Sequence, residues 1–296
     1  MLVTIVNACL REGRGGSPTA VLWETPLSDA ERRQVPRLTG TSHAVFVSAG
    51  DDRLDQPQAS LRFFTATGEL PACGHGTVAA LVFLAENTGR TDYRVTVLPS
   101  RRSFAGEATH ERDHMSAAFD PGDVRLREAT PDERQVALDG LGHSTDIRAS
   151  DIDVASIGQP RLLVPISTRF ALAGLKPDYD RLQDDCDRLG LLGCYVYSTP
   201  TTSGRLAARM FAPSIGVPED IANANSTACL AARLAQGKAS RITVEMGDSL
   251  DSPATIAAAT QQTSSGLQIR VGGTAKVAAT LRLTVDDRAR VVREIL

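Results

Sequence analysis

The chain has 296 residues, of which 42% are hydrophobic and 4% aromatic, and its formal net charge is −3. This length suffices for two domains of ordinary size, and Val, Leu, Ile and Ala must fill most of the core. The mildly acidic balance does not indicate a strongly basic face, so no nucleic-acid partner is expected.

The start of the chain and its cysteines predict the compartment. The first residues lack the basic and apolar regions of a signal peptide, and no run of about 18 apolar residues marks a membrane span. The five cysteines, at 9, 73, 186, 194 and 229, include no Cys-x-x-Cys pair. Scattered cysteines in odd number are typical of reduced thiols, so we expect a cytoplasmic protein without a membrane partner.

In the first half, short strands lead to one long apolar helix. Strands are predicted over residues 2–8, 19–23, 44–48 and 59–65. The stretch from Phe64 to Glu86 then reads as a Gly/Pro turn and a helix whose residues Val78–Leu84 are all apolar. Such a helix is expected to be buried. Glu69, in the turn, is expected to have a structural role through backbone groups.

The second half repeats this pattern. Pro121-Gly122 is the predicted boundary between an N-terminal half, 1–121, and a C-terminal half, 122–296. The stretch from Pro213 to Leu234 again reads as a Gly/Pro turn and an apolar helix, and Arg-x-Phe precedes both stretches, at 62–64 and 209–211. Strands are predicted over residues 267–271 and 275–285, and the last strand can pack on the N-terminal half. We predict an α+β fold of two pseudo-symmetric halves, each a curled, mostly antiparallel sheet around a central apolar helix.

The turn before the first core helix carries the candidate chemistry. Cys73 and His75 lie within three residues of each other at a helix start, where thiols are often reactive. The N–H groups and the positive dipole end of such a helix suit a carboxylate. We predict a site for a small acid between the two halves. No ligand spacing of a metal site and no nucleotide-binding glycine motif occurs, so no metal and no cofactor is predicted.

Motifs spread along the chain carry a family resemblance. Phe64-Thr65, Glu69-Leu70-Pro71 and Gly74-His75-x-Thr77 resemble FTP…ELPxAGHPT, and Gly216–Asp220 resembles the start of GxPEDPATGSA. Gly16-Ser17-Pro18 and Gly272-Gly273-x-Ala275 are similar to two further glycine elements. These are signatures of the PhzF-like isomerases of phenazine biosynthesis, which have a diaminopimelate-epimerase-like fold.

The resemblance implies a cofactor-independent isomerase that moves a proton and a double bond in a small unsaturated or cyclic amino or carboxylic acid. It implies His75 and Asp220 as catalytic residues, with Asp220 holding a proton or orienting His75. The substrate-binding residues that it implies are Ser42, Gly74, Gly76, Thr77, Ala224 and Asn225. Family members are often dimers, so a homodimer is expected.

The sequence departs from the family at three places. His43 stands where the family has its proton-carrying Glu, and we predict that His43 takes over that role; the alternative is that it packs beside a strand. Asn223–Ser226 replaces Thr-Gly-Ser-Ala. Cys73 makes the turn closer to the CGHGT of proline racemases, but Ala222 stands where those enzymes have their second cysteine. Cys73 is therefore a candidate catalytic residue, and Asp220 has the alternative of a helix N-cap.

Three functions remain open from the sequence. The leading hypothesis is the PhzF-like isomerase, with alkylproline precursors of antibiotic biosynthesis as one candidate niche. The second is a one-cysteine racemase or epimerase at an amino-acid α-carbon. The third is a family member that binds a small acid without catalysis.

Overall fold

A computed structural model describes residues 1–50, 57–98, 103–142, 146–235, 240–264, 266–285 and 291–293. The chain divides into two compact units. Unit 1 comprises Met1–Asp120 and Gly272–Leu296, and unit 2 comprises Pro121–Val271. The division after Asp120 lies next to the predicted Pro121-Gly122 break, and the end of the chain belongs to the unit that contains its start.

Over its described residues before the break, unit 1 has eight strands, two short helices and one long helix. Its elements are β1 Leu2–Leu10, β2 Ser17–Trp23, α1 Asp29–Arg32, α2 Gln34–Thr39, β3 His43–Ala49, β4 Gln58–Phe64, β5 Glu69–Leu70, α3 Gly74–Thr88, β6 Asp92–Val97, β7 Phe104–Glu111 and β8 His114–Phe119.

Unit 2 repeats this pattern after two additional elements. Its elements are β9 Arg125–Glu128, α4 Pro131–Gly140, β10 Asp153–Ile157, β11 Gln159–Ile166, α5 Arg169–Ala173, α6 Tyr179–Leu189, β12 Cys194–Ser198, β13 Arg205–Ala212, β14 Val217–Asp220, α7 Ala224–Ala235, β15 Ser240–Met246 and β16 Ala254–Thr263. Strand β17, Gly266–Val285, runs on into unit 1 and pairs there with β18, Val291–Arg293.

Strand pairing shows the duplication. In unit 1, β1 pairs antiparallel with β2, β2 parallel with β3, β3 antiparallel with β4, and β4 antiparallel with β5 and parallel with β6. In unit 2, β10 to β15 repeat the same sequence of antiparallel and parallel pairs. Each unit is therefore a mostly antiparallel sheet of the same topology, which confirms the predicted fold class.

The two long helices are the cores around which the sheets curl. Residues Gly74–Ala85 of α3 are all buried, and this helix packs on β1, β2, β3, β7 and β8. Helix α7 packs on β9, β10, β15 and β16. A helix that is apolar on every face can only be stable when a sheet covers it on several sides.

The last strand is longer than the sequence predicts. The predicted break between residues 271 and 275 is wrong, because β17 runs through it as one continuous strand. A Cβ atom at Gly272 would lie 2.0 Å from the carbonyl oxygen of Ala117, so only glycine lets β17 pass β8 at this distance. Gly272 thus serves close strand packing.

The Arg-x-Phe motif has the same structure in both units. Arg62 donates two hydrogen bonds of 2.8 Å to Glu69 and lies 5.0 Å from the Phe64 ring centroid. Arg209 donates two bonds of 2.8 Å to Glu219 and lies over Phe211. The structural role of Glu69 is thus to bind an arginine side chain. The sequence instead predicted contacts with backbone groups.

Within the part of the chain that the structure describes, no helix has both the length and the hydropathy that a membrane crossing requires.

Candidate active site

Three chemically reactive side chains meet in unit 1, and all three are buried. His43 is 2% exposed, His75 1% and Cys73 6%. His75 Nε2 lies 3.1 Å from His43 Nδ1 and 3.6 Å from Cys73 Sγ. The two imidazole rings meet edge to face, with centroids 4.5 Å apart. The structure thus brings together three of the four predicted catalytic residues.

The start of strand β3 and the start of helix α3 hold the backbone that carries these side chains. His43 is the first residue of β3, where the Thr41 hydroxyl donates to its carbonyl oxygen at 2.9 Å. Cys73 has extended backbone and directly precedes α3, and the N–H and the hydroxyl of Thr77 both donate to its carbonyl oxygen. The predicted substrate-binding residue Thr77 therefore contributes its side chain to the helix start.

Gly76 allows the first turn of α3 to pack closely. A Cβ atom there would lie 3.0 Å from Cys73 Sγ and 3.1 Å from side-chain atoms of both Phe63 and Val45. Because Val45 belongs to β3 and Phe63 to β4, a larger residue at position 76 would separate the helix start from the sheet. The N–H groups of Gly74 and Gly76 belong to the first turn of α3, where an α-helix leaves its N–H groups available for an anion.

The contact between the two histidines constrains their protonation. At an Nε2 to Nδ1 distance of 3.1 Å, only one hydrogen fits between the rings, so one imidazole donates and the other accepts. The hydroxyl oxygen of Ser42 lies 2.8 Å from the same His43 Nδ1. Ser42 can donate or accept, so this contact is compatible with either tautomer. The predicted substrate-binding residue Ser42 thus contacts His43 directly.

Burial controls the charge of His43. Desolvation, and to a lesser extent the neighbouring His75 ring, hold the pKa of His43 well below its ordinary value of 6.5. Both causes disfavour the imidazolium form. At neutral pH His43 is therefore a neutral imidazole with one unprotonated ring nitrogen, which is the form that a general base requires.

In unit 2, the corresponding helix start has a different construction. The side-chain oxygen of Asn223 accepts from the Ser226 N–H at 2.9 Å, and the Thr227 N–H donates to the Asn223 carbonyl. Asn223 is therefore the N-cap of α7. Its amide nitrogen donates to Asp220 Oδ2 at 2.9 Å. The alternative of Asp220 as the helix N-cap is thus wrong, because Asn223 occupies that position and Asp220 orients its side chain.

The remaining predicted residues lie at this second helix start. Asp220, Ala224 and Asn225 are all buried, and the latter two form the first turn of α7. Asp220 belongs to unit 2 and His75 to unit 1. The predicted cooperation of Asp220 with His75, and of the two helix starts in holding one substrate, therefore stays a prediction.

Sequence reasoning missed a buried cation near α7. Arg161 is 2% exposed and donates to the Ser226 hydroxyl at 3.2 Å and to the Gln159 carbonyl at 2.8 Å. Among the described residues its Nε atom is a buried donor without a hydrogen-bond partner. A single arginine at position 161 of the sequence carries no signal for such a position, since its burial depends on the neighbouring helix.

No pattern in the sequence indicated that three metal-competent side chains meet. His43 Nδ1 or Nε2, Cys73 Sγ and a ring nitrogen of His75 lie within 4.8 Å of one another. Metal sites are found from sequence by short regular spacings. In this protein the third side chain, His43, comes from the start of β3, well before Cys73 and His75 in the chain, so no such spacing exists.

Comparison with known proteins gives consistent matches. The profile of the family described as "Phenazine biosynthesis-like protein" matches residues 6–280. Over 243 residues the chain is 27% identical to an uncharacterized isomerase of Clostridium acetobutylicum, covering 79% of this chain and 78% of that protein. It is 28% identical over 234 residues to the trans-2,3-dihydro-3-hydroxyanthranilate isomerase of Pseudomonas aeruginosa, covering 78% and 79%. The solved structure of a predicted epimerase from Pseudomonas aeruginosa superposes with a TM-score of 0.80 at 24% identity, covering 96% of this chain and 99% of that one.

Proposed function

Because the chain belongs to the phenazine biosynthesis-like, or PhzF-like, family of isomerases, we propose that it shifts a proton and a double bond in a small unsaturated or cyclic amino or carboxylic acid without a cofactor. His43 and His75 are the proposed acid–base pair. The observation that carries this assignment is their buried contact, with 3.1 Å between His75 Nε2 and His43 Nδ1. His43 occupies the position at which the family has its proton-carrying glutamate.

The paired imidazoles can take up one proton and release another. In one tautomer His43 Nδ1–H donates to His75 Nε2, which leaves His43 Nε2 as a base and a hydrogen on His75 Nδ1. His43 Nε2 accepts a proton from the substrate carbon, the shared hydrogen moves to His75 Nε2, and His75 Nδ1 releases its hydrogen to another carbon. Proton count and charge are unchanged at the end, and the product is an isomer of the substrate.

The substrate carboxylate is proposed to bind at the helix starts. Gly74 and Gly76 offer first-turn N–H groups next to the histidine pair, and Ala224 and Asn225 offer the same groups in unit 2. A helix N-terminus also stabilises the negative charge that develops when a proton leaves the carbon next to a carboxylate. Asp220 is proposed as a further proton carrier.

Isotope incorporation tests the proposal. We would incubate the enzyme in D2O with trans-2,3-dihydro-3-hydroxyanthranilate, the acid named for the Pseudomonas relative, and with cyclic amino acids, and follow deuterium by NMR. A moved double bond with deuterium at the newly protonated carbon is expected. His43→Ala should lower the turnover rate by about 10²–10⁴, the contribution of a general acid or base.

The matched control is His110→Ala, a substitution of an exposed histidine in the same unit, which should leave turnover unchanged. Unchanged turnover in His43→Ala would contradict the assignment of the base. Absence of deuterium from every acid of the panel would favour the non-catalytic alternative for these substrates.

A one-cysteine racemase or epimerase is the second candidate, and the 3.6 Å contact between Cys73 Sγ and His75 Nε2 favours it. In that reaction the thiol and the imidazole exchange the α-proton of an amino acid. Deuterium would then appear at the α-carbon with inverted configuration and without a shifted double bond. Cys73→Ala would abolish this exchange, whereas full activity in Cys73→Ala would exclude the thiol from the mechanism.

We propose alkylproline precursors of antibiotic biosynthesis as substrates to test, because they combine a ring, a carboxylate and a mobile double bond.

The cytoplasm is the proposed compartment, since none of the five cysteines, all within the described part of the chain, forms a disulfide. A homodimer without nucleic-acid or membrane partners is the proposed assembly. Light scattering of the purified protein during gel filtration measures its oligomeric state, and a monomer mass would refute the dimer.

A further inference from the structure

We propose that His43, Cys73 and His75 form a binding site for a divalent transition-metal ion of the zinc class. Two imidazoles and one thiolate are ligands that Zn²⁺ and Co²⁺ prefer in proteins. All three side chains are buried, and their candidate ligand atoms lie within 4.8 Å of one another. This inference concerns ion binding and does not depend on the proposed reaction.

Two of the three separations between the ligand atoms match those of a tetrahedral ion. Zn–N bonds of about 2.0–2.1 Å and a Zn–S bond of about 2.3 Å, at tetrahedral angles, place two nitrogens about 3.3 Å apart and a sulfur about 3.6 Å from a nitrogen. The His75 Nε2 to His43 Nδ1 distance is 3.1 Å, and the His75 Nε2 to Cys73 Sγ distance is 3.6 Å. The third separation, between Cys73 Sγ and a His43 ring nitrogen, is within 4.8 Å, so these two side chains must approach each other by at most about 1.2 Å to hold the ion.

The backbone around the site is held independently of the three side chains. Two hydrogen bonds from Thr77 fix the Cys73 carbonyl, and one from Thr41 fixes that of His43. Gly76 keeps Cys73 Sγ close to the sheet, because any Cβ there would lie 3.0 Å from the sulfur. Rigid ligand positions of this kind reduce the entropy that is lost when a metal binds.

The three protein ligands leave a fourth coordination position of the proposed ion open. Three protein ligands with one exchangeable position are typical of reactive zinc sites, whereas structural sites have four protein ligands. The Ser42 hydroxyl oxygen lies 2.8 Å from His43 Nδ1 and so stands beside the proposed ion. Water, or an oxygen of a small acid, would complete the tetrahedron.

Metal binding and proton transfer would compete for the same lone pairs. An ion bound to His43 Nδ1 and His75 Nε2 occupies the two atoms between which the proposed reaction moves a hydrogen. If the proposed function holds, Zn²⁺ therefore inhibits the isomerase, and a chelator restores its activity. This consequence alone rests on the proposed function.

A Co²⁺ titration tests the site directly. The reduced, chelator-treated full chain would be titrated with CoCl2 in the absence of substrate and followed by absorption. We expect one equivalent to produce a thiolate-to-cobalt charge-transfer band, which Zn²⁺ abolishes by displacement. Cys73→Ser should lose this band. His43→Asn should weaken Co²⁺ binding by more than about 100-fold, the upper cost of losing an outer-sphere partner.

Two matched controls keep the result specific. Cys229→Ser replaces the buried cysteine of α7, and His110→Ala replaces an exposed histidine of unit 1; both should retain the band and the affinity. Circular dichroism and melting of each variant check its folding. If Cys73→Ser does not fold, a rise of the melting temperature with Zn²⁺ in the wild type that is absent from His43→Asn decides the question.

Three results would overturn the proposal. These are no charge-transfer band in the wild type, a band that persists in Cys73→Ser, and Co²⁺ affinity lost in His114→Ala, whose imidazole lies 3.5 Å from Glu111 at the surface. The titration uses no substrate, so it separates the two proposals. A chain that binds Co²⁺ but isomerises no acid refutes the function alone, and an active chain without the band refutes the metal site alone.

Discussion

At the scale of single residues, His43 shows how burial makes a base. An exposed histidine is partly protonated near pH 6.5, whereas burial and the adjacent His75 ring lower the pKa of His43 well below that value. The folded protein thus keeps His43 neutral across the neutral pH range. The cost is a dependence of stability on pH, because the unfolded chain can still protonate this side chain.

We expect the free energy of unfolding to fall as the pH is lowered from 7 to 5. Below pH 6.5 the unfolded state takes up a proton at His43 that the folded state does not accept, so acid favours unfolding. The slope that His43 adds is at most about 1.4 kcal/mol per pH unit. Urea unfolding of wild type and His43→Gln at several pH values measures it, and the variant should show the smaller slope.

The buried carboxylate Glu133 loses its contribution to stability at a lower pH than His43 does. Hydrogen bonds from Arg127 lower the pKa of Glu133 from 4.5 to about 2, so the stability that Glu133 contributes is lost only below pH 4.5. The interval from pH 5 to 6.5 therefore lies above the transition of Glu133, and the comparison of wild type with His43→Gln cancels the groups that both proteins share. Parallel pH dependences of wild type and His43→Gln would contradict the assigned shift.

At the scale of elements, the two core helices begin in different ways. Helix α3 follows Cys73 and uses Gly76 to bring its first turn against the sheet, which places the thiol beside His75. Helix α7 has a side-chain cap, Asn223, whose amide nitrogen is held by Asp220. The duplicated helix starts have thus diverged, so that one presents a thiol–imidazole cluster and the other an amide–carboxylate pair.

The hydrogen bond from Asn223 to Asp220 predicts how far two substitutions at position 223 lower the free energy of unfolding. Asn223→Ser retains a capping oxygen and loses only the bond to Asp220. Asn223→Asp also retains the cap but places a second carboxylate against Asp220 Oδ2, where the amide nitrogen now lies at 2.9 Å. We expect Asn223→Ser to lose about 1 kcal/mol and Asn223→Asp to lose more, since a buried acceptor and a like charge add to the cost.

Denaturant unfolding of both variants and of the wild type measures these losses. The excess loss in Asn223→Asp should shrink at pH 5, because two close carboxyl groups take up a shared proton more readily. An Asn223→Asp protein as stable as Asn223→Ser at pH 7 would show that Asp220 does not need the amide donor.

At the scale of the whole molecule, the duplication preserves an ion pair in two environments. Arg209 and Glu219 of unit 2 have side chains only 11% and 6% exposed, whereas Arg62 and Glu69 of unit 1 are 36% and 40% exposed. Arg209 also donates to the carbonyl oxygens of Leu172 and Leu175. The same motif therefore holds the C-terminal end of α5 through a buried ion pair in unit 2, and a surface turn through a more exposed pair in unit 1.

Removing the acid from each pair should have unequal effects. Glu219→Gln leaves a buried guanidinium without its counter-charge, and we expect a loss of about 3–5 kcal/mol. Glu69→Gln, the matched variant in unit 1, breaks an exposed pair in high dielectric and should lose about 0.2–1 kcal/mol. Urea unfolding of both variants measures the difference. Equal losses would show that burial does not decide how much each arginine depends on its carboxylate.

Several features of the protein were predictable because they are local or periodic. The two apolar helices, the repeated Arg-x-Phe stretches and the order of the glycine motifs predicted the α+β fold and the family, and both are confirmed. Cys73 and His75 were predicted as neighbours because only Gly74 separates them at a helix start. The joint action of Asp220 with His75 stays a prediction.

The amino-acid sequence by itself determined the elements, their duplication and the candidate residues, because strand and helix periods and turn residues are properties of short stretches. Only the tertiary structure decided which side chains touch. The curl of the unit 1 sheet places the start of β3 against the first turn of α3, and so joins His43 to His75 and Cys73. It also decided that Asn223 caps α7 and that one arginine pair is buried. Contacts between distant residues depend on how the sheet bends around its helix, and no short pattern in the sequence records that bend.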